Sequence, residues 1–177
     1  LHNETHRGKV KNIVNDWLEE FKIKIFLDVG CGNGSFVAEF LSRDGITAHG
    51  IDVNTFWKEE WDKKYPEWDS HFICGDFMKV VFSDNIVDLL LCSEVLEHLD
   101  EDTIKEWVEK MSGLCRWLVF TSTPYSEGPS WDRYWGHQSI KPVNHWINIF
   151  KDYGFTVIRK AQPPSPASGL LFKNTNL

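Results

Sequence analysis

The sequence predicts an α/β fold in three layers, with a seven-stranded, mostly parallel sheet sandwiched between helices and an antiparallel last strand. Three observations carry that expectation. Short apolar runs alternate with helical stripes along nearly the whole chain, and parallel strands need such crossover connections. One apolar run, ending at Val29, leads straight into three alternating glycines and then into a helix-like stretch beginning Ser35-Phe36-Val37. The last two strand candidates are separated by Gln162-Pro163-Pro164-Ser165-Pro166-Ala167-Ser168-Gly169, which holds no helix, so the final strand is free to return antiparallel.

The elements follow in order. Val10, Ile13, Val14, Trp17, Leu18 and Phe21 recur at helical spacing, giving a leading amphipathic helix within residues 1–22. Strands are predicted near 24–29, 46–52, 70–74, 86–92, 116–121, 155–160 and 169–173. Helices are predicted near 35–43, 55–64, 94–111 and 142–152. Ile104, Trp107, Val108 and Met111 form one clear stripe, and Val143, Trp146, Ile147 and Phe150 another; such stripes are read as core. Gly154 suits the end of the last helix. Residues 123–141 read as a long loop, too aromatic to be idle. Residues 1–177 make one domain, without repeats.

Four cysteines, Cys31, Cys74, Cys92 and Cys115, form no C-x-x-C pair, which suits reduced core or loop thiols in a cytoplasmic protein. A catalytic thiol at Cys31 or Cys92 is the sharper alternative. A formal net charge of -7 argues against a broad grip on nucleic acid. No run approaches a membrane span and no signal peptide is evident, so a soluble protein is expected. The first residue is Leu1, which leaves a fragment or a processed chain open.

Leu27-Asp28-Val29-Gly30-Cys31-Gly32-Asn33-Gly34 reads as a loop for a nucleotide-like cofactor. A side chain at such a strand-to-helix turn would block positive backbone angles and close approach of a ligand to the main chain. A dinucleotide fingerprint has glycines at its first, third and sixth places; here they take the first, third and fifth, with Ser35 sixth. Gly50-Ile51-Asp52-Val53 ends the second strand with an acid 22 positions past Gly30, placed to accept hydrogen bonds from ribose hydroxyls in either class of enzyme.

The third strand ends in Cys74-Gly75-Asp76-Phe77. The fourth runs from Val87 into Cys92-Ser93-Glu94-Val95-Leu96-Glu97-His98-Leu99, and the fifth into Thr121-Ser122-Thr123-Pro124-Tyr125. With the glycine loop, this ordered set resembles the class I S-adenosylmethionine-dependent methyltransferases, and in particular the small-molecule group typified by the ubiquinone-biosynthesis O-methyltransferases. The resemblance spans about residues 10–173. It departs at Met111-Ser112-Gly113-Leu114-Cys115-Arg116-Trp117, where relatives carry a proline-glycine turn.

The resemblance implies a Rossmann-like sheet whose seventh strand inserts antiparallel between the fifth and sixth. It implies S-adenosylmethionine as methyl donor, S-adenosylhomocysteine as product, and a small-molecule acceptor, with oxygen as the expected methylated atom. Gly30, Gly32 and Gly34 would face the methionine part and Asp52 the ribose. Val53 would meet an adenine face and Asp76 with Phe77 the adenine edge. Asp28 would organise the loop or meet the ammonium group, and Ser93 lies at the cofactor end of the fourth strand. Ser122-Thr123-Pro124-Tyr125 also resembles the proline-tyrosine motif of adenine N-methyltransferases, which follows the fourth strand instead; nucleic acid is not the expected partner.

A hydroxyl acceptor benefits from a general base, and histidine suits that task near neutral pH. His98 and His137 both fall on the cofactor side of the sheet, and Glu94 and His98 are expected on one helix face at i, i+4. Tyr125, Trp131 and Trp135 are the candidate acceptor surface, by stacking. His2-Asn3-Glu4-Thr5-His6 has its acid in the wrong place for a metalloprotease pair, no other cluster has metal-site spacing, and no metal is expected. A non-catalytic cofactor-binding domain and a nicotinamide-dependent oxidoreductase are the competing readings.

Overall fold

Strand β4 (Val87–Ser93) is the spine of the molecule, because its Val-Asp-Leu-Leu-Leu-Cys-Ser sequence is apolar on both faces and only a strand covered on both sides can bury that. The computed structural model describes residues 10, 14, 15, 20–82, 87–123, 128–161 and 168–177, less the side chains of 131, 135, 161 and 168. Seven strands form one sheet: β1 (Ile25–Val29), β2 (Thr47–Asp52), β3 (Phe72–Cys74), β4, β5 (Cys115–Ser122), β6 (Phe155–Ala161) and β7 (Ser168–Asn174). Their order is β3-β2-β1-β4-β5-β7-β6. Pairs through β5 are parallel, and β7 runs antiparallel between β5 and β6. This is the expected Rossmann-like, three-layer fold.

Five α-helices are described: α1 (Ser35–Leu41), α2 (Thr55–Lys64), α3 (Glu101–Leu114), α4 (Pro129–Trp135) and α5 (Val143–Asp152). One face of the sheet is covered by α3 and α5, whose Ile104, Val108, Met111, Trp146 and Phe150 are buried against Leu90, Cys92 and Phe120. Against the other face pack Val37 and Phe40 of α1, Trp61 of α2, and Val10 and Val14 of the leading segment. Each such side chain contributes roughly 1.5–3 kcal/mol by leaving water. None of the described helices is long and apolar enough to cross a membrane.

Two polar residues inside the sheet have structural work. Asp88, the second residue of β4, accepts hydrogen bonds from the N–H groups of Lys24 and Ile25 (2.9 and 3.0 Å) and so anchors the start of β1. The buried Asn174 donates to the carbonyls of Ser112 and Cys115 (2.6 and 2.8 Å). Those carbonyls end α3 where it runs into β5 without an intervening loop, so Asn174 stabilises the junction that lacks a proline-glycine turn.

The expected helix over 94–111 is shorter at its start. A short 3₁₀ turn covers Leu96–His98, and α3 begins at Glu101 under a cap in which the Asp100 side chain accepts from the Asp102 and Thr103 N–H groups (3.1 and 3.0 Å). Glu94 sits before the turn with φ +55°, so Glu94 and His98 do not share a helix face. Within the expected loop at 123–141, Pro129 at the first turn and the left-handed Gly136 bound a two-turn helix, α4.

Candidate active site

The strand order reverses between β1 and β4, and in open sheets of this kind the crevice beyond the strand ends at that point is where ligands bind. The glycine loop lies there. Gly30, Gly32 and Gly34 all have positive φ (75°, 54° and 70°). A Cβ on Gly30 would fall 2.4 Å from Val95 Cγ2, and one on Gly34 would fall 2.5 Å from the Trp61 ring. Gly30 and Cys31 donate their N–H groups to the Ile51 carbonyl (2.8 and 3.1 Å). The Asp52 carboxylate completes the turn: Oδ2 accepts from the Gly32 N–H (2.8 Å) and Oδ1 from the Asn54 N–H (2.9 Å).

A cavity of about 290 Å³ opens at these strand ends. Its floor is Val29, Gly30 and Ile51. Asp52 and Val53 form one side, Gly75, Phe77 and Trp107 another, and Glu94, Val95, His98 and Leu99 the far wall. Phe77 is buried and leans on Trp107 with ring centroids 4.8 Å apart. Its segment is pinned from α3 by the Lys110 ammonium, which donates to the carbonyls of Phe77 (2.5 Å), Met78 (3.1 Å) and Val80 (2.7 Å) and lies over the Phe77 ring. Burial lowers the Lys110 pKa from its ordinary value.

The far wall is polar. Glu94 accepts from the hydroxyls of Thr121 (2.9 Å) and Thr123 (2.8 Å), and its N–H donates to the Thr121 carbonyl (3.0 Å). Behind it Glu97 is completely buried, and burial followed by the neighbouring Glu94 raises its pKa well above the usual carboxylate range. The Glu97 carbonyl accepts from the N–H groups of Gln138 (2.7 Å) and Ser139 (2.9 Å), which ties the segment after α4 to the 3₁₀ turn. That tie brings His137 against His98, with ring centroids 5.0 Å apart.

Of the residues singled out in the sequence, Gly30, Asp52, Val53, Phe77 and His98 line the cavity. Gly32 and Gly34 shape its loop. Asp28 is buried within β1, and the Ser93 hydroxyl bonds that of Thr121 (2.7 Å). The Asp76 carboxylate accepts from the Met78 N–H (2.9 Å) and lies 3.6 Å from the Lys79 ammonium, outside the cavity lining. His137 stands behind His98. Tyr125 lies outside the described residues, as do the side chains of Trp131 and Trp135, which sit on α4. Cys92 is fully buried, which pushes its thiol pKa well up and removes it as a nucleophile; Cys31 is buried too. Val95, Trp107 and Lys110 were not foreseen as parts of the site, and Glu94, expected to support His98 from a shared helix face, reaches the cavity from ahead of the 3₁₀ turn.

The loop and cavity have the form needed for an adenosine-bearing cofactor: a backbone open to close approach, a carboxylate beside apolar surfaces, and a polar far wall. Comparisons with known proteins agree. A protein-family model described as a methyltransferase domain matches residues 27–116, just over half of the 177-residue chain. No curated protein matches the chain in sequence. Among solved structures, magnesium protoporphyrin IX methyltransferase (ChlM) from Synechocystis PCC 6803 with bound SAH superposes with a TM-score of 0.75 at 19% identity, over 97% of this chain and 84% of that one. N-methyltransferase NodS from Bradyrhizobium japonicum WM9 gives 0.68 at 20% identity, over 97% of both chains. The mitomycin 7-O-methyltransferase MmcR gives 0.70 at 16% identity, and there 88% of this chain spans half the length of the other. At these identities the likeness is one of fold, while the family match reaches the glycine loop, Asp52 and the far wall: the chain belongs to the methyltransferase domain family, whose methyl donor is S-adenosylmethionine.

Proposed function

We propose that the chain methylates a small-molecule acceptor at oxygen, in the manner of the ubiquinone-biosynthesis type group. The observation that carries the reading is the Asp52 carboxylate, which shapes the glycine loop through the Gly32 and Asn54 N–H groups and also lines the cavity. Each of its oxygens accepts one of these bonds and keeps further lone-pair capacity for ribose hydroxyls. Val53, which is 71% exposed, and the Phe77 ring offer apolar surface to a planar base. Gly30, Gly32 and Gly34 admit the methionyl part, with Asp28 supporting the loop from within β1. Asp76 and Ser93 complete the cofactor side.

When bound, S-adenosylmethionine supplies a methyl carbon made electrophilic by its sulfonium. The chain's own task is orientation, which lowers a barrier by several kcal/mol. His98 and His137 act on the acceptor, and Tyr125, Trp131 and Trp135 form a stacking surface for it. The acidic net charge and the apolar cavity support a small acceptor over nucleic acid. Four free cysteines support a reducing, cytoplasmic setting. The test is formation of S-adenosylhomocysteine by purified protein with a panel of phenols, sugars and carboxylic acids. Acceptor-dependent turnover is expected. Binding of S-adenosylhomocysteine without turnover would favour a binding module, and binding of NADH in its place would overturn the reading.

A further inference from the structure

A second cavity, of about 340 Å³, borders the glycine loop at Asn33 and Ser35 and shares no lining residue with the cofactor cavity. That volume falls within the range of small-molecule sites. The rest of its lining comes from α2 and the residue that follows it, and is dominated by aromatic rings. Phe56 and Trp57 meet edge to face with centroids 5.0 Å apart, and Tyr65 packs on Trp61 at 4.8 Å. Trp61 is buried, and its ring N–H donates to the Trp68 carbonyl (3.1 Å), so it is a fixed wall. Phe56 is 53% exposed. An aromatic ring left in water at the edge of a cavity offers stacking surface that water does not satisfy.

The charge at this cavity sets the kind of ring that fits. Helix α2 carries three lysines, Lys58, Lys63 and Lys64. Lys58 is paired with Asp62 and Asp69, and Lys63 with Glu60 (2.7 Å), which neutralises the one carboxylate in the lining. Lys64 pairs with no carboxylate among the described residues; its ammonium lies over the Tyr65 ring, 5.0 Å from the centroid. The cavity thus presents one uncommitted positive charge beside stacking surface, on a chain whose formal net charge is -7. We propose that it is a second ligand site, for a planar aromatic ring carrying one anionic group. The ring stacks among Phe56, Trp57 and Tyr65, and the anion meets the Lys64 ammonium. Asn33 and Ser35 offer an amide and a hydroxyl to a polar substituent from the loop side. A cationic ring is disfavoured, because Glu60 is already taken by Lys63.

The test is calorimetric titration with naphthalene-2-carboxylate, its neutral counterpart 2-naphthylmethanol and its cationic counterpart 2-naphthylmethylamine. The carboxylate is expected to bind at one equivalent, about threefold or more tighter than the alcohol, with the amine weakest. Lys64→Met should bring carboxylate and alcohol to equal affinity, and Phe56→Ala should weaken both about three- to tenfold. Both side chains are exposed, so neither change disturbs the core. Lys151→Met, which removes an exposed charge on α5, should leave the preference for the carboxylate intact. With S-adenosylhomocysteine saturating the first cavity, the carboxylate should bind as before. No binding of the carboxylate, a preference that survives Lys64→Met, an affinity indifferent to Phe56→Ala, or displacement by S-adenosylhomocysteine overturns the proposal. Every readout is binding, so its failure leaves the methyl-transfer reading standing.

Discussion

Replacing Asp52 with alanine perturbs two things that can be measured apart. In the folded chain its carboxylate holds the Gly32 and Asn54 N–H groups at 2.8 and 2.9 Å. The residue is only half-buried, so water replaces much of what those N–H groups lose. The cost to folding is therefore about 1–2 kcal/mol, or roughly 2–8 °C in Tm for a domain of this size. Binding loses the ribose bonds as well. Hydrogen bonds to a charged acceptor contribute about 1.5–3 kcal/mol, and at about 1.4 kcal/mol per tenfold the affinity for S-adenosylhomocysteine should fall roughly 10- to 150-fold. Asp52→Asn should lie between, because its amide oxygen can still accept one N–H while its NH₂ faces the other donor. Calorimetry below the variant's Tm, paired with scanning calorimetry, reads both effects. A lowered Tm with unchanged affinity would make Asp52 a loop strap alone and refute its place in the cofactor site.

Gly30→Ala should reduce S-adenosylhomocysteine affinity more than tenfold, through both the contact with Val95 and the cost of φ +75°; adding Val95→Ala should restore only part, and full restoration would show that the backbone angle is immaterial. Lys110→Met should weaken the same affinity about three- to tenfold without touching the cavity, because the segment from Phe77 to Val80 loses its three carbonyl bonds; equal affinity by calorimetry would show that the segment holds itself. His49 is held below its ordinary pKa of 6.5, first by burial and then by the stacked His71. The unfolded chain thus takes up its proton at higher pH, so this residue's contribution is complete above about pH 6.5 and is lost as pH falls through the lower folded value. Urea midpoints from pH 7.5 to 5 should fall less steeply for His49→Gln than for the parent, and parallel slopes would exclude His49 as the source.

All seven strands could be read from the sequence, because each buried strand is a short apolar run bounded by a turn and β7 is announced by a connector with no helix. The glycine loop and Asp52 were equally legible, since they are local. What escaped needed tertiary knowledge or a competing local signal. Val95, Leu96 and Leu99 continue the stripe of α3 and invited an early helix start, but Asp100 satisfies the first N–H groups of α3 and ends that continuity. Pro129 and Gly136 did mark α4, yet its aromatic and charged content was read as loop. Glu97 and His137 stand forty positions apart, and no spacing rule joins residues that meet through the pairing of Gln138 and Ser139 with the Glu97 carbonyl. Lys110 carries no signal of its own in the sequence, and only the path of residues 77–80 turns it into an anchor.

The central claim, that the cavity at the ends of β1, β2 and β4 is the cofactor site, is tested most directly by a crystal structure with S-adenosylhomocysteine. The account predicts ribose hydroxyls on the Asp52 carboxylate, the base against Val53 and Phe77, and the sulfur directed toward Glu94 and His98. A ligand seated elsewhere, or one in this cavity that leaves Asp52 untouched and turns its sulfur away from His98, would contradict it.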